Sequence, residues 1–350
     1  MKQFCADFET TTDPNDCRVW SWGLMEFGTK QYHEGDTIAE FFNLLDDLSK
    51  REKCTVYFHN LKFDGFFILH YLLSEGFTHA KERKELRDKT FTSLITDLKT
   101  FYTIDVCLRK RGKNRQTLSF VDSLKILPFS VEQTAKAFGL NMEKMEIDYT
   151  KHRPRDYKVT DHERLYVKTD VEIMVDALSI LFDEKHTKIT AGGNALQDFK
   201  RTIGTKAYKT FFPRLKFDGD IRDSYKGGFV YVNPKYKGKE IGEGIVLDVN
   251  SLYPSVMRYE LLPYGEPKFF EGKYKHDKVF PLYIAFIRCM FELKSNKIPT
   301  VQIKNSFYYS GTEYLHDSDG QIVTLALTNV DFKLFLEQYN VINLEIFGGF

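Results

Sequence analysis

Strand-like and helix-like patterns alternate over residues 1–190, and this alternation restricts the segment to folds in which helices cover a sheet. Residues 3–9 alternate apolar and polar side chains, as a half-buried strand does, and residues 54–58 make a second strand-like run. Residues 61–75 are rich in Phe and Leu and stop at Gly76, which is typical of a helix. We therefore predict an α/β layer structure for this segment.

A long helix and a linker are predicted next. Thr160 and Glu163 have the spacing of a capping box and precede a helical apolar stripe, so we predict a helix that ends near Lys185. Residues 191–196 (AGGNAL) are mostly small and include two glycines, which is typical of a linker. We place the domain boundary there.

The composition excludes several classes of protein. The 350 residues carry 50 Lys or Arg and 49 Asp or Glu, so a nucleic-acid site must be built by local clustering of charge. No apolar run approaches the ~18 residues of a membrane span. The five cysteines are scattered without a C-x-x-C pair. We therefore expect no membrane partner, no disulfide framework and no zinc site, and a cytoplasmic location.

One local cluster of basic charge stands out. Residues 197–240 contain eleven Lys or Arg against five Asp or Glu, a balance of +6 in a chain whose total is +1. Nine Tyr or Phe residues are interleaved with these cations. Such a pattern suits a groove for single-stranded nucleic acid, and it equally suits a basic surface over an aromatic core.

Four carboxylates fall at positions where they can meet. Asp7 and Glu9 project from one face of a predicted strand, Asp64 lies at the start of the next helix, and Asp170 follows Tyr166 by one turn. Each acid taken singly is a solvated charge or a helix cap. Together they predict a site for two Mg²⁺ or Mn²⁺ ions that hydrolyses a phosphodiester, with Tyr166 hydrogen-bonded to the attacking water.

Three strings of sequence carry a family resemblance. Residues 7–10 (DFET), 57–64 (YFHNLKFD) and 166–170 (YVKTD) resemble the exonuclease motifs of the proofreading domain in family B DNA polymerases. Residues 123–124 (SL) and 144–147 (KMEI) resemble additional motifs of the protein-primed subgroup, which starts replication from a terminal protein. The likeness thus points to one branch of the family.

Two further strings extend the resemblance into the second half of the chain. Residues 225–228 (YKGG) resemble the motif between the exonuclease and polymerase domains, and residues 248–255 (DVNSLYPS) are similar to the first polymerase motif. Independently, the apolar residues 245–247 predict a buried strand that delivers Asp248 at its end. Residues 261–350 resemble the palm insertion that contacts the terminal protein.

The resemblance implies a role for each matching residue. Implied metal ligands are Asp7, Glu9, Asp64 and Asp170 in the exonuclease and Asp248 in the palm. Implied catalytic residues are Tyr166, which orients the water, and Lys144, which steadies the phosphate. Implied DNA-binding residues are Thr10, His59, Asn60, Phe63, Ser123, Leu124, Tyr225, Gly227 and Gly228. Implied nucleotide-binding residues are Ser251, Leu252 and Tyr253.

The resemblance also implies the architecture. Residues 1–190 are expected to be a ribonuclease-H-like exonuclease domain with a mixed sheet and flanking helices. Residues 191–260 are expected to be a linker and the first part of an incomplete α+β palm, and residues 261–350 its insertion. The Tyr-x-Asp-Thr-Asp string of the family is absent from the 350 residues, so synthesis by this chain alone is not expected.

We therefore predict a metal-dependent 3′→5′ exonuclease on single-stranded DNA, belonging to a protein-primed polymerase and acting at a primer 3′ end. Its expected partners are a terminal protein and a separate chain that carries the fingers, the thumb and the rest of the palm. One alternative is a non-catalytic fragment of a split or decayed polymerase that binds single-stranded DNA or terminal protein. Another is a free-standing nuclease, which would not need residues 248–255.

Overall fold

A computed structural model describes residues 2–13, 15–112, 114–142, 145–304, 306, 308–311 and 313–350. The chain forms two compact units, residues 1–202 and residues 203–350. This division differs from the predicted one. Residues 191–196, expected to be a linker, lie in a helix, and residues 203–260 belong to the same unit as residues 261–350. The segment forms a helix despite its two glycines, because small residues are compatible with helical backbone angles.

The described residues of the first unit form an eight-stranded mixed sheet in the order β3-β2-β1-β4-β8-β7-β6-β5. The strands are β1 (Lys2–Thr10), β2 (Val19–Glu26), β3 (Tyr32–Gly35), β4 (Cys54–Phe58), β5 (Thr78–His79), β6 (Thr90–Ile95), β7 (Phe101–Arg111) and β8 (Asn114–Asp122). In the centre, β4 runs parallel to both β1 and β8. The carboxyl ends of these three strands therefore meet at one edge of the sheet.

Helices cover both faces of this sheet. The helices of this unit are α1 (Ile38–Ser49), α2 (Leu61–Ser74), α3 (Val131–Ala137), α4 (Asp161–Asp183) and α5 (Ala191–Ile203), with 3₁₀ turns at Arg83–Glu85 and Ser123–Lys125. Phe4 of β1 packs in a core with Phe41 of α1 and Ile68 of α2. The next residue, Cys5, packs in a second core with Met174 of α4. Because neighbouring residues of a strand face opposite sides, α1 and α2 lie on one face and α4 on the other.

Several sequence predictions are confirmed in this unit. The strand predicted over residues 54–58 is β4, and the helix predicted over residues 61–75 is α2. Thr160 and Glu163 form the expected capping box at the start of α4. The mixed α/β character of the unit is as predicted.

The second unit is built on a smaller sheet. Its helices are α6 (Thr205–Phe211), α7 (Asp218–Asp223), α8 (Leu252–Tyr259) and α9 (Asn329–Gln338). Its strands are β9 (Phe270–Glu271), β10 (Ile284–Leu293), β11 (Val323–Thr328) and β12 (Tyr339–Gly349), which form an antiparallel sheet in the order β11-β10-β12-β9. Ile287, Phe291, Phe335 and Tyr339 form the centre of its core.

The predicted buried strand before Asp248 is wrong for this structure. Ile245, Val246 and Leu247 are 87%, 96% and 88% exposed, and no strand is formed there. An apolar triplet predicts a strand, but a strand needs a neighbour for its backbone hydrogen bonds, and the sheet of this unit extends no pairing to the triplet. No helix among the described residues is long and apolar enough to cross a membrane.

Candidate functional site

Strand β1 presents two carboxylates on the face that α4 covers. Asp7 and Glu9 lie two and four residues after Cys5 and therefore on the same face of the strand, and Cys5 packs in the core beneath α4. In the antiparallel pairing with β2, Asp7 lies opposite Gly23 and Glu9 lies opposite Ser21. Asp7 is half-buried and Glu9 is buried.

Asp64 joins these acids from the next parallel strand. Strand β4 ends at the same edge of the sheet as β1, and Asn60 turns the chain into α2 with a left-handed φ of 77°. Asp64 lies in the first turn of that helix and is 2% exposed. Burial raises its pKa well above the usual range, and the neighbouring charges of Asp7 and Glu9 raise it further. Three carboxylates are therefore close enough to repel one another.

Helix α4 contributes Tyr166 and Asp170, one turn apart and both buried. Burial raises the pKa of Tyr166 far above its usual range, and Asp170, a hydrogen bond with Tyr149 and the charge of Glu9 add to the effect. The hydroxyl oxygens of Tyr149 and Tyr166 are 2.7 Å apart. The four acids and Tyr166 thus come from three elements that meet at one edge of the sheet.

The donor set has the chemistry of a site for a hard divalent cation. Carboxylate oxygens are the ligands that Mg²⁺ and Mn²⁺ prefer. Asp64 Oδ1 is buried and makes no hydrogen bond to any described residue, so an acceptor stands ready for a ligand. As the side chains lie, however, the described ranges contain no group of three His, Cys, Asp or Glu residues placed to hold one ion. The carboxylates therefore have to turn toward a cation that binds them.

Tyr149 is a residue that the sequence predictions missed, and a buried arginine places it. Arg153 Nη2 donates to the carbonyl oxygen of Asp148 at 2.9 Å, and the guanidinium lies 4.2 Å from the ring centroid of Trp20. The segment that carries Tyr149 is thereby fixed to β2. No motif in the sequence signals this contact.

Two of the residues predicted to bind single-stranded DNA, His59 and Ser123, are hydrogen-bonded to each other. His59 Nδ1 lies 3.1 Å from Ser123 Oγ, which also donates to the carbonyl oxygen of Phe58 at 3.0 Å. His59 Nε2 lies 2.7 Å from the carbonyl oxygen of Phe129. The structure therefore joins two motifs that are separated by 64 positions in sequence.

Asp122, also missed by the sequence predictions, lies at the centre of this group. Its Oδ1 accepts hydrogen bonds from the backbone N–H groups of Asn60, Leu61 and Leu124, at 3.1, 3.3 and 3.0 Å. The side chain is 1% exposed. Its only sequence signal is an acid at the end of a strand just before the Ser-Leu pair.

The other predicted residues of the first unit lie around this edge. Phe63 is 52% exposed, with its ring 5.8 Å from that of Phe67, so the ring is accessible to solvent. Thr10 ends β1 and Leu124 lies in the 3₁₀ turn after β8, both half-buried. Lys144 lies outside the described residues.

In the second unit the structure brings two predicted motifs together. A Cβ on Gly228 would lie 2.9 Å from the Tyr253 hydroxyl, so the two motifs are in close contact. Tyr225 is 72% exposed. Burial lowers the pKa of Lys226, whose ammonium lies 3.9 Å from Asp331.

The remaining predicted residues of the second unit are open to solvent. Asp248, Ser251, Leu252 and Gly227 are all exposed. Ser251 adopts a left-handed φ of 51° at the start of α8.

Comparisons with known proteins identify the relatives of this chain. The family described as DNA polymerase type B, organellar and viral, matches residues 46–349. The DNA polymerase of Bacillus phage phi29 is 45% identical over 351 residues, which cover 99% of this chain and 60% of that protein. The chain thus spans about 60% of the length of the curated relatives it matches.

Solved structures agree with these matches. Phi29 DNA polymerase complexed with primer-template DNA and incoming nucleotide substrates aligns with a TM-score of 0.86 and 44% identity, covering 99% of this chain and 61% of that one. Phi29 DNA polymerase complexed with single-stranded DNA aligns with a TM-score of 0.82 and 43% identity, covering 99% and 60%.

Proposed function

Because the chain belongs to the family of type B DNA polymerases of organelles and viruses, we propose that its first unit is a metal-dependent 3′→5′ exonuclease of the proofreading type. The observation that carries the proposal is the buried meeting of Asp64 with Asp7 and Glu9 at one edge of the sheet. Acids whose only role is to be solvated at the surface would not be buried next to one another, because their negative charges repel. A site that collects them is suited to cations.

Each residue has a distinct part in the proposed reaction. Asp7, Glu9, Asp64 and Asp170 would hold the metal. When bound, a pair of Mg²⁺ or Mn²⁺ ions supplies the charge that eases ionisation of water and offsets the charge on the leaving oxygen. Tyr166 stays protonated at neutral pH, since its pKa is raised, and its hydroxyl orients the water.

The group around His59 would hold the 3′ end of a single strand. Phe63 offers an exposed ring on which a base can stack. His59 precedes Phe63 by one helical turn in sequence and is hydrogen-bonded to Ser123. The relative solved with single-stranded DNA supports this substrate. Thr10, Asn60, Leu124 and Lys144 belong to the same proposed surface.

For the second unit we propose roles on the polymerase side. Tyr225, Gly227 and Gly228 would contact DNA, and residues 251–253 would contact an incoming nucleotide while Asp248 ligates its metal. The relatives are DNA polymerases, but the chain spans only about 60% of their length. We therefore propose that synthesis requires the part of the relatives' length that these 350 residues do not span, and that residues 261–350 contact a terminal protein.

A degradation assay tests the exonuclease directly. The purified chain is incubated with a 5′-labelled single-stranded oligonucleotide and Mg²⁺ or Mn²⁺. We expect a ladder that shortens from the 3′ end, slower degradation of blunt duplex, and no cleavage with EDTA. A chain that binds the oligonucleotide but leaves it intact would favour the non-catalytic alternative.

A further inference from the structure

The residue paired with Asp7 on the neighbouring strand is a glycine, which has no side chain. Asp7 lies directly opposite Gly23. Residues paired in this way carry their side chains on the same face, with Cβ atoms about 4.5–5.5 Å apart. A Cβ on Gly23 would lie 2.8 Å from Tyr32 Oη and 2.9 Å from Val167 Cγ1. The Tyr32 hydroxyl therefore fills the space beside the Asp7 side chain.

Tyr32 reaches this space from β3 and its hydroxyl is buried there. The ring lies beneath α4, with the Lys168 ammonium 5.7 Å from its centroid. The hydroxyl makes no hydrogen bond within the described part of the chain. Burial raises the pKa of the Tyr32 hydroxyl, and the nearby charges of Glu34 and Asp7 raise it further. The contact with Glu34 does not have the geometry of a hydrogen bond. The hydroxyl thus keeps its proton.

A buried hydroxyl with no partner destabilises a protein, and phenylalanine would fill the same space without that penalty. Packing alone does not explain a tyrosine here. Two carboxylates approach the hydroxyl, and one of them, Glu34, already pairs with Arg164 at 3.4 Å. The other is Asp7, which has to turn to ligate a cation. A hydrogen bond to the second oxygen of a ligating carboxylate fixes its orientation.

We propose that Tyr32 is a positioning residue, whose hydroxyl donates a hydrogen bond to Asp7 and holds that carboxylate in its cation-binding orientation. Tyr32 does not touch the ion or the DNA in this arrangement. The inference rests on the proposed function of the carboxylates as metal ligands. Its test therefore measures the cation as well as the cleavage.

The experiment compares the wild-type chain with Tyr32→Phe by titration calorimetry with Mn²⁺, without DNA. Loss of an outer hydrogen bond to a metal ligand weakens metal binding about 10–100-fold, so we expect an affinity at least about 10-fold lower. The thermal midpoint without metal should be unchanged or higher, since the unpaired hydroxyl is removed. The cleavage kcat should fall while KM for the oligonucleotide stays constant.

Tyr71→Phe is the matched control. Tyr71 lies on α2, stacked on Phe42 at 4.4 Å in the core on the opposite face of the sheet, and its variant should bind Mn²⁺ as the wild type does. Equal Mn²⁺ affinity of Tyr32→Phe and the wild type would overturn the inference and leave the proposed function standing. A wild-type chain that neither binds Mn²⁺ nor cleaves DNA would overturn both.

Discussion

Arg153 and Glu163 form an ion pair of 3.0 Å in which the side chains are only 2% and 6% exposed. Glu163 also accepts hydrogen bonds from Tyr157 and from the Thr160 backbone, at 2.7 and 3.0 Å. The pair joins the first turn of α4 to the segment that carries Tyr149. It therefore supports the same helix that presents Tyr166 and Asp170.

Breaking this pair should destabilise the first unit strongly. Glu163→Gln leaves the Arg153 charge buried without a counter-charge, and removal of one partner of a buried pair costs about 3–5 kcal/mol. Urea unfolding measures the loss. The control is Glu172→Gln, which removes a partner of Lys30 at 3.3 Å in a pair whose side chains are 46% and 30% exposed, and it should change stability by less than about 1 kcal/mol. Equal effects of the two variants would contradict the assignment.

The same carboxylate should make stability depend on pH. Burial alone would raise the pKa of Glu163, but hydrogen bonds from Thr160, Tyr157 and Arg153 prevail and lower it to about 2. The unfolded value is about 4.3. A folded pKa below the unfolded one contributes stability above about pH 5 that is lost as the pH falls toward 2. The stability difference between the wild type and Glu163→Gln should therefore shrink over that interval. A constant difference would show that Glu163 does not titrate as described.

Asp122→Ala should lower both the stability of the protein and its affinity for single-stranded DNA. It leaves the N–H groups of Asn60 and Leu61 without their acceptor, and each unpaired buried group costs about 1–3 kcal/mol. We expect lower stability and weaker binding of a single-stranded oligonucleotide, measured by fluorescence anisotropy. Asp105→Ala is the control, because Asp105 is buried in β7 against Ser119 and Arg83. It should lower stability without lowering DNA affinity.

Tyr225 should contribute to DNA binding through its ring. Tyr225→Ala should weaken binding of single strands by about 1–3 kcal/mol, the usual contribution of one stacked base, while Tyr225→Phe retains affinity. The affinity of the wild type should also fall steeply as salt rises, since cations in residues 197–240 release counterions on meeting phosphates. Unchanged affinity of Tyr225→Ala would exclude this ring from the contact.

The resemblance to the N-terminal portion of a protein-primed family B polymerase is confirmed by the family match and by the phage relatives. The predicted positions of Asp7, Glu9, Asp64 and Asp170 follow from local signals: an alternating strand, a helix start and a capping box. Such signals depend on residues close in sequence, so they can be interpreted from one chain.

What the sequence did not predict depends on distant partners. Tyr32, Asp122 and Tyr149 act through contacts with other elements, and no local pattern distinguishes them from ordinary core or loop residues. Residues 245–247 show the converse. Their apolar character predicts a strand, but pairing is a property of the neighbours, and the second unit leaves them exposed.

The most direct test of the carboxylate site is the rate at which Asp7→Ala combined with Asp170→Ala degrades a 5′-labelled single strand in Mg²⁺ or Mn²⁺. Loss of a principal electrostatic stabiliser lowers rates about 10²–10³-fold, so we expect the double variant to be at least ~10²-fold slower than the wild type. Oligonucleotide binding, measured with EDTA present, should persist in the variant. Cleavage at a near-normal rate by the double variant would contradict the account.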